Sequence, residues 1–443
     1  MVALWYHNSE VSKLKRLTII LLCCLLLTGC VHTSPLDGYT DPSQNTQTGQ
    51  TEETIYYEPS APTVSTPDTP SVPTNPITPT EPEVTEPTST EPIPTSPISP
   101  DPKPTPDPSD PLDAYIQSMT LEERVGQLFL ARCPAQNAVS DIQKYHLGGF
   151  VLFARDFKDK TTDSVTKTIQ SYQDVSSIPM LIAVDEEGGT VTRVSRYTAF
   201  RATPFMSPRK LYEQGGLEAI RNNEIEKSQL LASLGINVNL SPVCDITTDP
   251  KAFMYQRSLG ESPEITGQYV QMMHKTMADH GVSSVLKHFP GYGNNTDTHI
   301  AIAIDNRSLT ELEGCDLVPF QMGIDAGCDA IMVSHTFINA IDSTLPATLS
   351  PAVNNYLREN MGFDGVVVTD DLVMQAITDL YGAGEAAVMA VLAGNDLLCS
   401  TEYKTQYSAV LQAVQSGRIS EDRINDSVRR LLNWKIQMGL LEI

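Results

Sequence analysis

The segment Gly365-Val366-Val367-Val368-Thr369-Asp370-Asp371 decides the fold. Its apolar run is short, continuous and β-branched, as in a strand covered on both faces, and it ends abruptly in two carboxylates. Similar runs recur at residues 127–131, 149–153, 180–184, 237–240, 284–286, 330–333 and 396–398. Between them lie stretches with helix-start signals, such as Ser262-Pro263-Glu264, where a capping hydroxyl, a first-turn proline and an acid coincide, and Ser350-Pro351. Strands alternating with helices imply a parallel sheet, and eight of them imply closure, so the expectation for residues 111–443 is an α/β fold, a (β/α)₈ barrel.

The polar residues fall in register with this reading. Arg132, Asp185, Asp245, Lys287 with His288, His335, and Asp370 with Asp371 all follow apolar runs. One such residue is readily explained as a helix cap or a loop ion pair. Repetition at most of the strands instead marks the C-terminal mouth of a barrel, where this fold places its chemistry.

Three constellations stand at that mouth. Asp370, at the end of a rigid strand, suits a carboxylate nucleophile. Asp371 competes for the role, although adjacent residues of an extended chain point oppositely and Asp371 equally suits a helix cap. The second constellation runs Lys287-His288-Phe289-Pro290-Gly291-Tyr292-Gly293-Asn294-Asn295-Thr296-Asp297-Thr298-His299. Lys287 and His288 are placed to donate to ligand oxygens. Asp297 and His299 are close enough for a carboxylate to orient an imidazole and raise its pKa, although Asp-x-His spacing alone is a weak signal. The third is Asp185-Glu186-Glu187-Gly188-Gly189-Thr190-Val191-Thr192-Arg193, where paired glycines let the backbone turn near a ligand and Arg193 adds a fork of donors. A tight turn with a surface ion pair would produce the same pattern.

Taken together, Leu121-Glu122-Glu123-Arg124-Val125-Gly126-Gln127-Leu128-Phe129, Arg257-Ser258-Leu259-Gly260, Lys287-His288-Phe289-Pro290-Gly291 and Thr369-Asp370-Asp371-Leu372 resemble glycoside hydrolase family 3, in particular its single-domain bacterial β-N-acetylglucosaminidases. The resemblance implies a retaining hydrolase in which Asp370 forms the glycosyl-enzyme and His299, paired with Asp297, is the acid/base. It also implies that Asp185, Arg193, Arg257, Lys287 and His288 hold the terminal sugar, without cofactor or metal. Two departures stand out. Tyr292 replaces a second histidine of the family motif, and Glu186 replaces a glutamine, adding an acid expected near the sugar pocket.

Many members of the family are β-glucosidases that take their acid/base from a second domain. This chain closes at Ile443 soon after Trp434, so the acid is expected from the barrel itself, which favours the N-acetylglucosaminidase. A metal-dependent barrel hydrolase is disfavoured because no His-x-His pair opens such a site. A non-catalytic sugar-binding lipoprotein would be expected to have lost Asp297, His299 or Asp370.

Outside the barrel, Lys13, Lys15 and Arg16 precede an apolar run and Leu27-Thr28-Gly29-Cys30, an order of charge, apolar core and small residues that is typical of a secretory signal. The last four residues resemble a bacterial lipobox, so residues 1–29 are expected to be removed and Cys30 lipidated, anchoring the protein to the outer face of the bacterial cytoplasmic membrane. Residues 30–110 are Pro, Thr, Ser and acid, a composition that buries too little apolar surface to offset its ordering entropy. An extended stalk of roughly 80 residues reaches at most about 200–250 Å. The formal net charge of −24 disfavours a nucleic-acid partner. Cys133, Cys244, Cys315, Cys328 and Cys399 are widely spaced, as for small core residues rather than a disulfide framework. The barrel is expected to be monomeric.

Overall fold

The computed structural model describes residues 110–295, 302–378 and 380–443. The expected signal, Cys30 and all of the expected stalk but Asp110, as well as Asp297 and His299, lie outside the described residues; Asp110 caps the first helix of the barrel, its carboxylate accepting from Leu112 N at 3.0 Å. The barrel strands are β1 (Phe129–Arg132), β2 (Gly149–Leu152), β3 (Leu181–Val184), β4 (Val238–Asn239), β5 (Ser283–Phe289), β7 (Ala330–Val333), β9 (Val366–Thr369) and β10 (Leu398–Ser400). They form one eight-stranded sheet in the order β10-β1-β2-β3-β4-β5-β7-β9, with every pairing parallel. A parallel bridge between Val368 and Leu397 joins β9 to the start of β10 and brings the sheet round on itself. Two further short strands, β6 (Ile304–Asp305) and β8 (Phe337–Ile338), pair with each other beside the mouth.

Apart from Arg132 at the end of β1, the eight barrel strands are buried along their length, which is why their sequences are largely apolar without alternation. Each fully buried Val, Ile or Leu contributes about 1.5–3 kcal/mol relative to exposure. Helices between the strands start at the foreseen signals. The Ser262 hydroxyl accepts from Ile265 N at 3.3 Å and the Ser350 hydroxyl from Val353 N at 3.3 Å.

Most strand limits differ from the sequence reading by a residue or two, and three of the differences have side-chain causes. Gln127 ends the helix Leu121–Gln127, because Thr120 and Glu123 form a reciprocal capping box that starts the helix, and the first strand begins at Phe129. Asp396 precedes its strand, since its carboxylate accepts from Val367 N at 3.1 Å, Arg358 Nη2 at 2.6 Å and Ser427 Oγ at 2.7 Å. The fifth strand runs on to Phe289, so Lys287 and His288 lie within it. Its register against β7 shifts between Lys287 and Phe289.

The base of the barrel is tied by its last helix, Glu421–Gln437. Trp434 Nε1 donates to Ser283 Oγ at 2.8 Å, and the fully buried Lys435 donates to Gln127 Oε1 at 2.7 Å and to Gly148 O at 3.2 Å. Arg429 pairs with Asp110 and Asp113 and so fastens the first helix, Pro111–Ser118, to the last.

Candidate active site

The loop after β3 folds back because of Glu186. Its carboxylate accepts from the N–H groups of Arg193 and Val194, each at 2.7 Å, from Ser195 N at 3.3 Å, and from the Ser195 hydroxyl. Gly188 and Gly189, at φ 104° and 64°, make the turn, and a Cβ on Gly188 would lie 2.2 Å from Met206 O. The loop thereby returns the Arg193 guanidinium to within 3.6 Å of Asp185. Glu186 is fully buried and is not the extra acid in the sugar pocket that the sequence suggested. Four converging donors need the acceptor-only chemistry of a carboxylate, which a glutamine supplies only in part.

Asp185, at the end of β3, accepts from Lys287 Nζ at 2.7 Å, and the same ammonium lies 2.6 Å from Glu187 Oε1. Two of its three protons are thus directed at protein carboxylates, leaving one for a ligand oxygen. Burial opposes ionisation of Glu187, but the charges of Arg257 and Lys287 outweigh it and hold this carboxyl well below the usual carboxylate range. Burial likewise disfavours the Lys287 ammonium, and Asp185 and Glu187 overcome it, so its pKa is raised.

Arg257 grips Glu187 with two bonds, Nε to Oε2 at 3.0 Å and Nη2 to Oε1 at 2.7 Å. Its Nη2 also lies 3.2 Å from His288 Nε2. An arginine only donates, so His288 accepts at Nε2 and carries its proton at Nδ1, which donates to Asp245 Oδ2 at 2.8 Å. Both ring nitrogens of His288 therefore have protein partners. Asp245 also accepts from His288 N and from Tyr292 N, at 3.1 and 2.7 Å. Tyr292, the departure from the family histidine, is buried with its ring edge-on to His288 at 5.3 Å and packed beside Phe253 at 5.8 Å.

At the end of β9 the two carboxylates have different surroundings. Asp371 Oδ1 accepts from Thr401 N at 3.1 Å and Val373 N at 3.2 Å, and its Oδ2 accepts from the Thr401 hydroxyl at 2.5 Å. Its carbonyl accepts from His335 Nε2 at 3.0 Å. Asp371 is thus built into the turn that leaves β9, and burial raises its pKa. Asp370 closes the strand, its own N–H bonded to Val333 O at 3.1 Å and its Oδ1 accepting from Asp371 N at 2.8 Å. Burial, followed by the carboxylates of Asp371, Asp370 and Asp185, raises the Cys399 thiol.

The structure therefore brings Asp185, Arg193, Arg257, Lys287 and His288 into one connected network, while Asp370 follows directly on the end of β9. Sequence reasoning missed Glu187 and Asp245 as the carboxylates that organise it. Glu187 stood inside a recognised motif and Asp245 at a strand end, yet only their partners, 70 and 43 residues away, reveal what they do.

The model of the glycosyl hydrolase family 3 N-terminal domain matches residues 120–434, and the chain belongs to this family. Curated relatives include a β-hexosaminidase of Mycobacterium tuberculosis, 30% identical over 312 residues, which span 68% of this chain and 79% of the relative. A β-hexosaminidase of Stenotrophomonas maltophilia is 35% identical over 306 residues, covering 66% and 88% of the two chains. Among solved structures, a family 3 β-N-acetylglucosaminidase from Paenibacillus sp. str. FPU-7 superposes with a TM-score of 0.69 at 36% identity, covering 73% of this chain. The match spans 63% of that protein's length.

Proposed function

We propose that the protein is a retaining, exo-acting β-N-acetylhexosaminidase that removes terminal non-reducing β-linked N-acetylglucosamine, with peptidoglycan fragments as its natural substrates. The observation that carries the reading is the placement of Asp370 at the end of β9, next to a mouth already furnished by Asp185, Arg193, Lys287 and Arg257 with oxygen-binding groups. The named activity of the relatives agrees with it. A lipid on Cys30 and an acidic, proline-rich stalk would hold the barrel outside the cytoplasmic membrane and within reach of the wall.

In the reaction proposed, an Asp370 oxygen bonds to the anomeric carbon as the glycosidic C–O bond breaks, and His299 gives its proton to the departing oxygen. Water then attacks the same carbon, loses its proton to His299 and releases Asp370. Asp297 orients the imidazole and raises its pKa. The network around Lys287 acts before chemistry, because its ionised groups are already bonded to one another and need no reorganisation when the sugar arrives.

Leaving-group dependence tests the acid. The His299→Ala variant is expected to lose about 10²–10⁴-fold on an unactivated disaccharide and much less on a nitrophenyl glycoside, which needs little protonation. An equal loss on both would remove His299 from the role.

A further inference from the structure

Arg132, the last residue of β1, belongs to neither the network around Lys287 nor the proposed chemistry. Its guanidinium lies 4.3 Å from the centre of the Phe153 ring, at the end of β2, and the Arg193 guanidinium bears on the same ring at 5.7 Å. Since Arg193 is the partner of Asp185, the adjacent ends of β1, β2 and β3 form one arc in which an aromatic ring spaces two arginines.

The two arginines are also short of partners. The Nε of each is buried without a hydrogen-bond partner, and among the described residues no hydrogen bond or ion pair from Arg132 is found. Asp156, the nearby carboxylate that feels the Arg132 charge, is instead bonded to Phe153 N at 2.7 Å and lies 3.7 Å from Arg155. A guanidinium stacked on a ring spends its face on the stack and keeps its in-plane N–H groups for acceptors. Leaving such donors half-buried and unmet is costly unless something supplies the acceptor.

We infer that Arg132 is a further substrate-binding residue, which donates from the Phe153 stack to an oxygen on the edge of the terminal sugar beyond Asp185 and Arg193. The inference rests on the glycosidase reading of this mouth. Arg132 sets which hydroxyl pattern the pocket accepts, and takes no part in bond making or breaking.

The test pairs Arg132→Met, which keeps an apolar body against Phe153 and removes the donors, with substrates lacking single hydroxyls. Wild type and variant are assayed on the aryl β-glycosides of N-acetylglucosamine, glucose, xylose and N-acetylgalactosamine, and on the 4-deoxy and 6-deoxy forms of the best of them. We expect the variant to lose roughly ten- to hundred-fold in kcat/KM on the parent glycoside, mainly through KM. On the deoxy form missing the contacted oxygen it should lose less than about twofold, because that partner is already gone. Equal losses on all three forms overturn the inference. Arg132→Lys, which keeps the charge without the fork, should fall between, and it carries the same comparison if the methionine variant folds poorly. If glucose proves the best sugar, the N-acetylglucosaminidase reading fails, while the deoxy comparison still decides the role of Arg132.

Discussion

At the scale of single residues, the site distinguishes two adjacent aspartates by what surrounds them. Asp371 accepts from Thr401 twice and from Val373 once, so its substitution acts on the turn. Asp370→Asn is expected to cost on the order of a thousandfold or more in kcat, through loss of the covalent route and of a charge facing the oxocarbenium-like transition state. Asp371→Asn is expected to lower stability by about 1–3 kcal/mol with a far smaller effect on kcat. Kinetics and thermal melts of the two variants check this, and a reversal of the pattern would mean that Asp371 is the nucleophile. The same contrast explains Glu186. As a sequence letter it reads as an added pocket charge, but the structure spends it on three backbone N–H groups and a hydroxyl that shape the Arg193 loop.

At the scale of elements, the last helix carries a lysine whose ionisation is coupled to folding. Burial lowers the pKa of Lys435 to about 7, and its partners, Gln127 Oε1 and Gly148 O, are neutral acceptors that two amine protons can satisfy. Between about pH 7 and the ordinary lysine value of 10.5 the unfolded chain holds a proton that the folded chain has released. Stability from this group therefore rises with pH across that window, by about 1.4 kcal/mol per unit, and is lost as pH falls towards 7. Lys435→Met should lack that slope, measurable as the difference between wild-type and variant denaturation midpoints from pH 7 to 10. Parallel curves would show that Lys435 keeps its proton in the fold.

The elements were legible where burial alone decides them. Continuous apolar runs such as 330–333 and 366–368 have no amphipathic choice to make, and the strands formed there. Two of the limits that moved did so for side-chain reasons distant in sequence. Asp396 is drawn out of its strand by Arg358 and Ser427, and β5 extends through Lys287 and His288, where the Lys287 ammonium meets Asp185 and Glu187 and the His288 ring donates to Asp245. Pairings of this kind leave no periodic trace. For that reason the motif around Asp185 was readable as a site, while the roles of Glu186 and Glu187 within it were not.

At the scale of the whole molecule, the barrel is proposed to work at the end of a tether. If Cys30 carries a lipid, Cys30→Ala should move the protein from the membrane fraction to the soluble one without changing turnover by the barrel. Unchanged membrane retention, or retained lipid label, would contradict the anchor. Cleavage of N-acetylglucosaminides with retention through Asp370 is decided by following hydrolysis of 4-nitrophenyl N-acetyl-β-glucosaminide by the full chain with time-resolved proton magnetic resonance. The β-anomer of N-acetylglucosamine is expected to appear first and the α-anomer only later, by mutarotation. An α-anomer formed first, or no release of N-acetylglucosamine from an enzyme that cleaves the corresponding glucoside, would contradict it.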